Sequence, residues 1–317
     1  MSINPPSLPP SPLRAARTAA PVSTRGARFA APRRTLAGGL YRPAFLALLL
    51  APLGIVYVAA FVYPIGAFLL ESVWTKEGLS LANYARLVDQ PLYVTILLRT
   101  FRIGLYVTLI CLVLAYPLAY WLTRLRGLPF SLAVACILLP LWTSVLVRTY
   151  AWAVLLRHGG IVNSALLSLG LINEPLTLLY TEFAVLVAMV HILLPFMVLP
   201  IYSSLRGIPR DLGRAAQSLG ARPAREFLHV VLPLSLPGVV GGCVMVFVIA
   251  IGYFITPALL GGPRMLLVST LINQQVTSVL NWSFGGALGA TLLAAALLSI
   301  VLLRMLMGAA SRWIAEG

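Results

Sequence analysis

Gly207-Ile208-Pro209-Arg210-Asp211-Leu212-Gly213-Arg214-Ala215-Ala216-Gln217-Ser218-Leu219-Gly220-Ala221-Arg222-Pro223-Ala224-Arg225-Glu226-Phe227-Leu228-His229-Val230-Val231-Leu232-Pro233-Leu234-Ser235-Leu236-Pro237-Gly238 is the long polar stretch in the second half of an otherwise apolar chain. Pro209 is suited to open a helix, and Asp211 falls in its first turn, where a negative charge meets the positive helix end. Gly220 supplies a left-handed stop, and Pro223 is placed to begin a second short helix. Arg222 and Glu226 stand four residues apart, close enough to pair on its surface. Ala215 and Ala216 leave a smooth face that another protein can approach closely. The stretch therefore predicts two short helices lying along a membrane surface and joined at Gly220.

The rest of the chain supplies the membrane. Of 317 residues, 60% are hydrophobic and 10% charged, with a mean hydropathy of +0.95. Those proportions exclude an ordinary soluble domain. A net charge of +15 raises nucleic acid as a partner. The basic residues alternate with apolar runs instead of gathering on one polar domain, which is how membrane topology uses arginine. Cys111, Cys136 and Cys243 all fall inside apolar runs, and His158, His191 and His229 are scattered. That pattern argues against disulfides and a local metal site.

Residues 1–40 are rich in Pro, Ser, Ala and Arg and contain no acid. They cannot bury a core and predict a disordered basic cytoplasmic arm. Crossing a bilayer takes roughly 20 apolar residues. Six runs meet that length, near 44–70, 100–122, 131–156, 179–204, 233–258 and 286–308, within a membrane domain of residues 41–317. The 123–130 segment reads as a tight hairpin turn. Pro117, Pro140, Pro195, Pro200 and Pro257 lie inside or at the rims of spans, where neighbouring helices tolerate kinks. Of the 23 Lys and Arg, seven precede the first span, two lie in the 123–130 turn, five in the 205–232 loop and two in the tail. This excess places both termini and that loop in the cytoplasm. On the opposite side, 71–99 holds a short surface helix around Asn83-Tyr84, and 160–170 is too short to cross and lies flat in the interface.

At this point the residues carry a resemblance. Ala215-Ala216, then three residues, Gly220, nine residues, Val230, one residue and Leu232-Pro233 resembles the conserved-spacing cytoplasmic loop of ABC-importer permeases. Three further stretches are similar to the spermidine/putrescine-type branch: Trp142 through Trp152, His191 through Pro200, and Phe254-Ile255-Thr256-Pro257 running into Leu259-Leu260-Gly261-Gly262. The resemblance covers about residues 45–308. It implies an all-α polytopic membrane protein with six transmembrane helices in the type I ABC importer permease architecture, set in a bacterial inner membrane. It further implies a second permease subunit completing the pore, a cytoplasmic ABC ATPase dimer below and a periplasmic solute-binding protein above. The loop is then the helix that couples to the ATPase, through Arg214, Ala215, Ala216, Gly220, Phe227, Leu232 and Pro233. The family's usual Glu before the two alanines is Arg214 here, which removes any ionic contact that Glu would make.

The chain has no Gly-rich phosphate loop ending in Gly-Lys-Ser/Thr and no nucleophile–His–acid set. It is read as a transport subunit, not an enzyme, with no cofactor or metal of its own. Arg148 falls within the third span, where a charge must face the bundle or snorkel outward. Arg148, Trp152, His191, Tyr253, Thr256 and Pro257 are candidates for a translocation pathway or gate. The alternatives are an interhelical bond for Arg148 and His191 and an aromatic belt for Trp152. Asn273 and Trp282 either touch a docked binding protein or are plain loop structure. Family similarity favours polyamines or a related small charged solute, although the spans hold no acid except at their ends, Glu71 and Glu182. The rivals are a secondary transporter driven by an ion gradient, which calls for intramembrane acids and internal repeats, and a non-transporting membrane scaffold.

Overall fold

A computed structural model describes residues 43–75, 78–263 and 265–316. The basic arm expected over 1–40 lies outside the described residues. The chain divides into two units at Ala59/Ala60. In the first, the described part is a helix, α1 (Pro43–Tyr57), whose side chains are exposed from Leu50 onward.

The second unit is a helical bundle. It opens within the π turn over Val58–Val62 and continues into α2 (Tyr63–Glu71), and a two-residue antiparallel pairing joins β1 (Trp74–Thr75) to β2 (Gly78–Leu79). Then come α3 (Ala82–Asp89), α4 (Pro91–Leu122), α5 (Gly127–Trp142), α6 (Val145–Leu156), α7 (Ile161–Ser168) and α8 (Glu182–Gly207). After them follow α9 (Arg210–Ser218), α10 (Pro223–Glu226), α11 (Leu232–Gly252), α12 (Val268–Thr277) and α13 (Trp282–Glu316). Five helical stretches among the described residues are long and apolar enough to cross a bilayer: 50–71, 91–122, 182–207, 223–252 and 282–302. A sixth exists if the bent pair starting at Gly127 counts as one span.

The core sits where α4, α8 and α11 meet. Ile103, Val107, Cys111, Ala115 and Ala119 of α4 pack with Met189, Leu193, Met197 and Ile201 of α8 and Val239, Val246 and Ala250 of α11. Small residues bring α8 and α11 together, as is common where lipid offers no hydrophobic drive between helices. A Cβ on Gly238 would lie 2.5 Å from the Pro200 carbonyl oxygen. A smaller cluster of Tyr93, Ile96, Val268, Leu271, Phe284 and Leu288 ties the start of α4 to α12 and α13. The Arg86 guanidinium lies 4.6 Å from the centre of the Phe284 ring above it.

Three elements differ from the sequence reading. The helix entering the second span begins at Pro91, not near residue 100, because Pro91 serves as its first residue and Tyr93 and Ile96 find a core to enter. The run 131–156 is not one helix: α5 and the α6–α7 stretch are bent by 97° around Thr143-Ser144. There Pro140 withholds an N–H, and the Thr143 hydroxyl bonds back to the Pro140 carbonyl at 2.7 Å, closing the end of α5. Finally, the second short helix expected after Gly220 does not stop. It passes through a π turn at Phe227–Val231 into α11, giving one helical rod over 223–252.

Candidate functional site

Two places concentrate the predicted residues. The first is the elbow between α8 and α11. α9 carries Asp211 in its first turn and ends where the Gly220 N–H reaches the Gln217 carbonyl at 2.9 Å and the Ala221 N–H reaches that of Ala216 at 3.0 Å. This double bond is the glycine stop, and Gly220 holds it with φ +84°. The helix is otherwise presented outward: Ala215 is exposed, Ala216 half-buried and Leu219 90% exposed. Arg214 lies exposed on this surface and makes a long ion pair with Asp211 one turn back, Nη1 to Oδ1 3.9 Å.

Inside the elbow the contacts hold it to the bundle. Phe227 does not point outward. Its ring meets those of Tyr116 and Tyr120 of α4 edge-on, at 5.8 and 5.7 Å between centroids. Leu232 and Pro233 are half-buried at the start of α11. Glu226 takes a 2.7 Å hydrogen bond from Gln217 Nε2 in place of the expected Arg222 pair. Gly213 passes beside that carboxylate. Gln217 and Glu226 thus tie α9 to the base of α11, a link that sequence spacing could not reveal because the two are nine residues apart across a turn.

The second place is a polar junction where α6, α8 and the stretch after α11 converge. α11 stops at Gly252; Tyr253 and Phe254 are non-helical, and a π turn over Pro257–Gly261 follows. Its opening residues, Thr256 and Pro257, are buried. Thr149 and Thr256 share a hydrogen bond of 3.0 Å between their hydroxyls. The Trp152 Nε1–H donates to His191 Nδ1 at 3.3 Å. Arg148 is 9% exposed and close enough to His191 and Tyr253 for its charge to act on both. Tyr253 in turn accepts a 2.7 Å bond from Ser269 through its carbonyl. Arg148, Trp152, His191, Tyr253, Thr256 and Pro257 are therefore drawn into one neighbourhood, and Thr149, overlooked in the sequence, joins them. Asn273 and Trp282 stand elsewhere: Asn273 is exposed on α12, and Trp282, 49% exposed, meets Phe68 edge-on.

Comparison with known proteins decides what bundle this is. Residues 36–315 match the family described as binding-protein-dependent transport system inner membrane component. The chain belongs to that family. It is thus the permease component of an ABC importer, a multi-pass protein of the inner membrane, with the ATPase and solute-binding protein as its partners. Among relatives of this permease, the spermidine/putrescine transport system permease protein PotB of Salmonella typhimurium (strain LT2) is 39% identical over 222 residues, 70% of this chain and 77% of the relative. The inner membrane ABC transporter permease protein YdcU of Escherichia coli is 35% identical over 211 residues, 62% of this chain and 66% of that one. The permease also shares its fold with a bacterial alginate ABC transporter solved with an alginate-bound periplasmic protein. That match has a TM-score of 0.67 at 18% identity, covering 81% of this chain and 92% of the other.

Proposed function

We propose that this permease imports polyamines, or a related small charged solute, as one of two permease subunits that together enclose the pore. The observation that carries the reading is the 39% identity, over 70% of the chain, to a permease named for spermidine and putrescine. In this reading ATP binding closes the ATPase dimer, and the outward face of Ala215, Ala216 and Leu219, with Arg214 and Gly220, delivers that motion to α11. Phe227, Leu232 and Pro233 belong to the chain's own side of the elbow and transmit the movement. At the opposite end, Arg148, Trp152, His191, Tyr253, Thr256 and Pro257 form the region that changes as the pathway opens, and Asn273 and Trp282 lie on the face offered to the binding protein.

The test is reconstitution of the complete complex, with its ATPase and binding protein, in liposomes. Uptake of labelled spermidine or putrescine is expected to require ATP and the binding protein and to survive collapse of ion gradients. Failure of both polyamines to enter while another solute accumulates would refute the substrate; uptake that follows an ion gradient and ignores ATP would refute the mechanism.

A further inference from the structure

Little holds α9 in place. None of its described side chains is buried, and its first turn has no side-chain cap. It packs mainly against α10 and the π turn at Phe227–Val231, both of which lie beyond Gly220. A cavity of about 220 Å³ opens within the elbow, lined by Gly213 and Glu226 and by Tyr120, Thr123, Leu205 and Arg206 at the ends of α4 and α8. Helices in proteins are held mostly by a packed face, and a nine-residue helix without one needs another source of direction.

That source stands across the turn. Gln217 Nε2 donates to the Glu226 carboxylate at 2.7 Å, and among the described residues this is the one side-chain hydrogen bond that leaves α9. Its other side-chain bonds, Ser218 to the Arg214 carbonyl and Arg214 to Asp211, stay within the helix. The carboxylate also lies against α9 at a second point, because a Cβ on Gly213 would run into it. Gly213 and Gln217 stand one turn apart on the same face of the helix. Contact at two points a turn apart fixes the direction of α9, not only its distance. With the turn at Gly220, the clasp closes a triangle, and a closed triangle passes on a push that an open turn would absorb by folding.

We propose that Glu226 is a positioning residue for energy coupling: gripped by Gln217 and seated against Gly213, it sets the angle between α9 and the foot of the 223–252 rod. A displacement delivered to α9 then moves the rod instead of closing the turn. The coupling step rests on the docking role given to α9 above, while the clasp as the source of its direction does not.

The experiment uses the complete complex with its ATPase and binding protein. For the angle, the native cysteines are replaced by alanine and nitroxides are placed at Asp211→Cys and Leu228→Cys, both exposed, and their distance distribution is read by electron paramagnetic resonance in nanodiscs. For coupling, labelled spermidine taken up per ATP hydrolysed is read in liposomes. Glu226→Ala removes the acceptor, and Gln217→Glu sets two carboxylates against each other. Each is expected to broaden the distance distribution and to cut uptake per ATP at least threefold. Gln217→Glu combined with Glu226→Gln rebuilds the bond with donor and acceptor exchanged, and should bring both readings back towards wild type. A merely structural role would lower the yield of folded complex and leave uptake per ATP unchanged. The proposal is overturned if the distribution keeps its width in Glu226→Ala, if the exchange restores nothing, or if uptake per ATP holds while the distribution broadens. A wild-type complex that imports no spermidine refutes the substrate reading instead, and the clasp is then judged on the distances.

Discussion

Replacing two glycines on one helix with alanine should move stability in opposite directions. Gly238 lies where α11 crosses α8, and a Cβ there would fall 2.5 Å from the Pro200 carbonyl oxygen, 2.5 Å from Ser204 Cβ and 3.1 Å from Ile201 Cα. Two of those atoms are backbone, so the helices must part to make room. At Gly241 the same methyl meets only Pro200 Cβ, at 4.0 Å, an ordinary contact. Both positions are mid-helix, so the gain from restricting the unfolded chain, about 0.5–1 kcal/mol, is common to both. Their difference isolates the steric term, about 1–3 kcal/mol for overpacking. Gly238→Ala should therefore lower the melting temperature of the purified permease in detergent, and Gly241→Ala should hold or raise it. Equal shifts for the two variants would refute the close crossing of α8 and α11 at Gly238.

Further outcomes follow from the same geometry. Gly220→Val meets no neighbour but must adopt a left-handed conformation that costs about 1–2 kcal/mol; it should leave membrane insertion intact while ATP hydrolysis proceeds with little uptake, and undiminished uptake would count against a docking role for α9. Thr256→Val strands the buried Thr149 hydroxyl at a cost of about 1–3 kcal/mol. Adding Thr149→Val should return part of that loss, which a double-mutant cycle by thermal unfolding will read. Glu182→Gln weakens the Arg102 pair between α4 and α8, but those side chains are 29% and 51% exposed, so a loss of no more than about 1 kcal/mol is expected. Trp152→Phe keeps an aromatic ring but removes the donor to His191 Nδ1 and the fused five-membered ring; transport should fall, and the melting temperature should drop by more than the hydrogen bond of about 0.6 kcal/mol alone implies.

The spans were readable because an apolar run longer than a bilayer's width has few alternatives. The elbow was readable because Pro209 and Gly220 act locally. Breaks inside apolar runs were not. Nothing in the sequence of 131–156 alone marks the break at Thr143-Ser144, since Pro140 comes just before the end of α5 whereas Pro117 lies inside an unbroken α4. Whether a proline bends its helix depends on what neighbours do with the carbonyl it frees. The continuity of 223–252 was hidden by the same residue type. Pro233 looked like a boundary, yet a π turn at Phe227–Val231 precedes it and absorbs the missing donor, just as one at Val58–Val62 precedes Pro64. In the polar junction, residue types pointed to the neighbourhood, but the pairing of Trp152 with His191 and of Thr149 with Thr256 joins residues 39 and 107 positions apart. Long-range partners of that kind leave no local trace.

The unbroken rod over 223–252 has a mechanical meaning. Thirty residues at about 1.5 Å each make a stiff shaft roughly 45 Å long. Its lower end is bolted to α9 by Gln217 and Glu226, and its upper end stops abruptly at Tyr253. A tilt of about 5° at the foot sweeps the head through roughly 4 Å, given that length. Along this shaft the irregular points are the π turn at Phe227–Val231 and Pro237, so bending gathers there and at its ends, in the turn at Gly220 and the unwound residues 253–254.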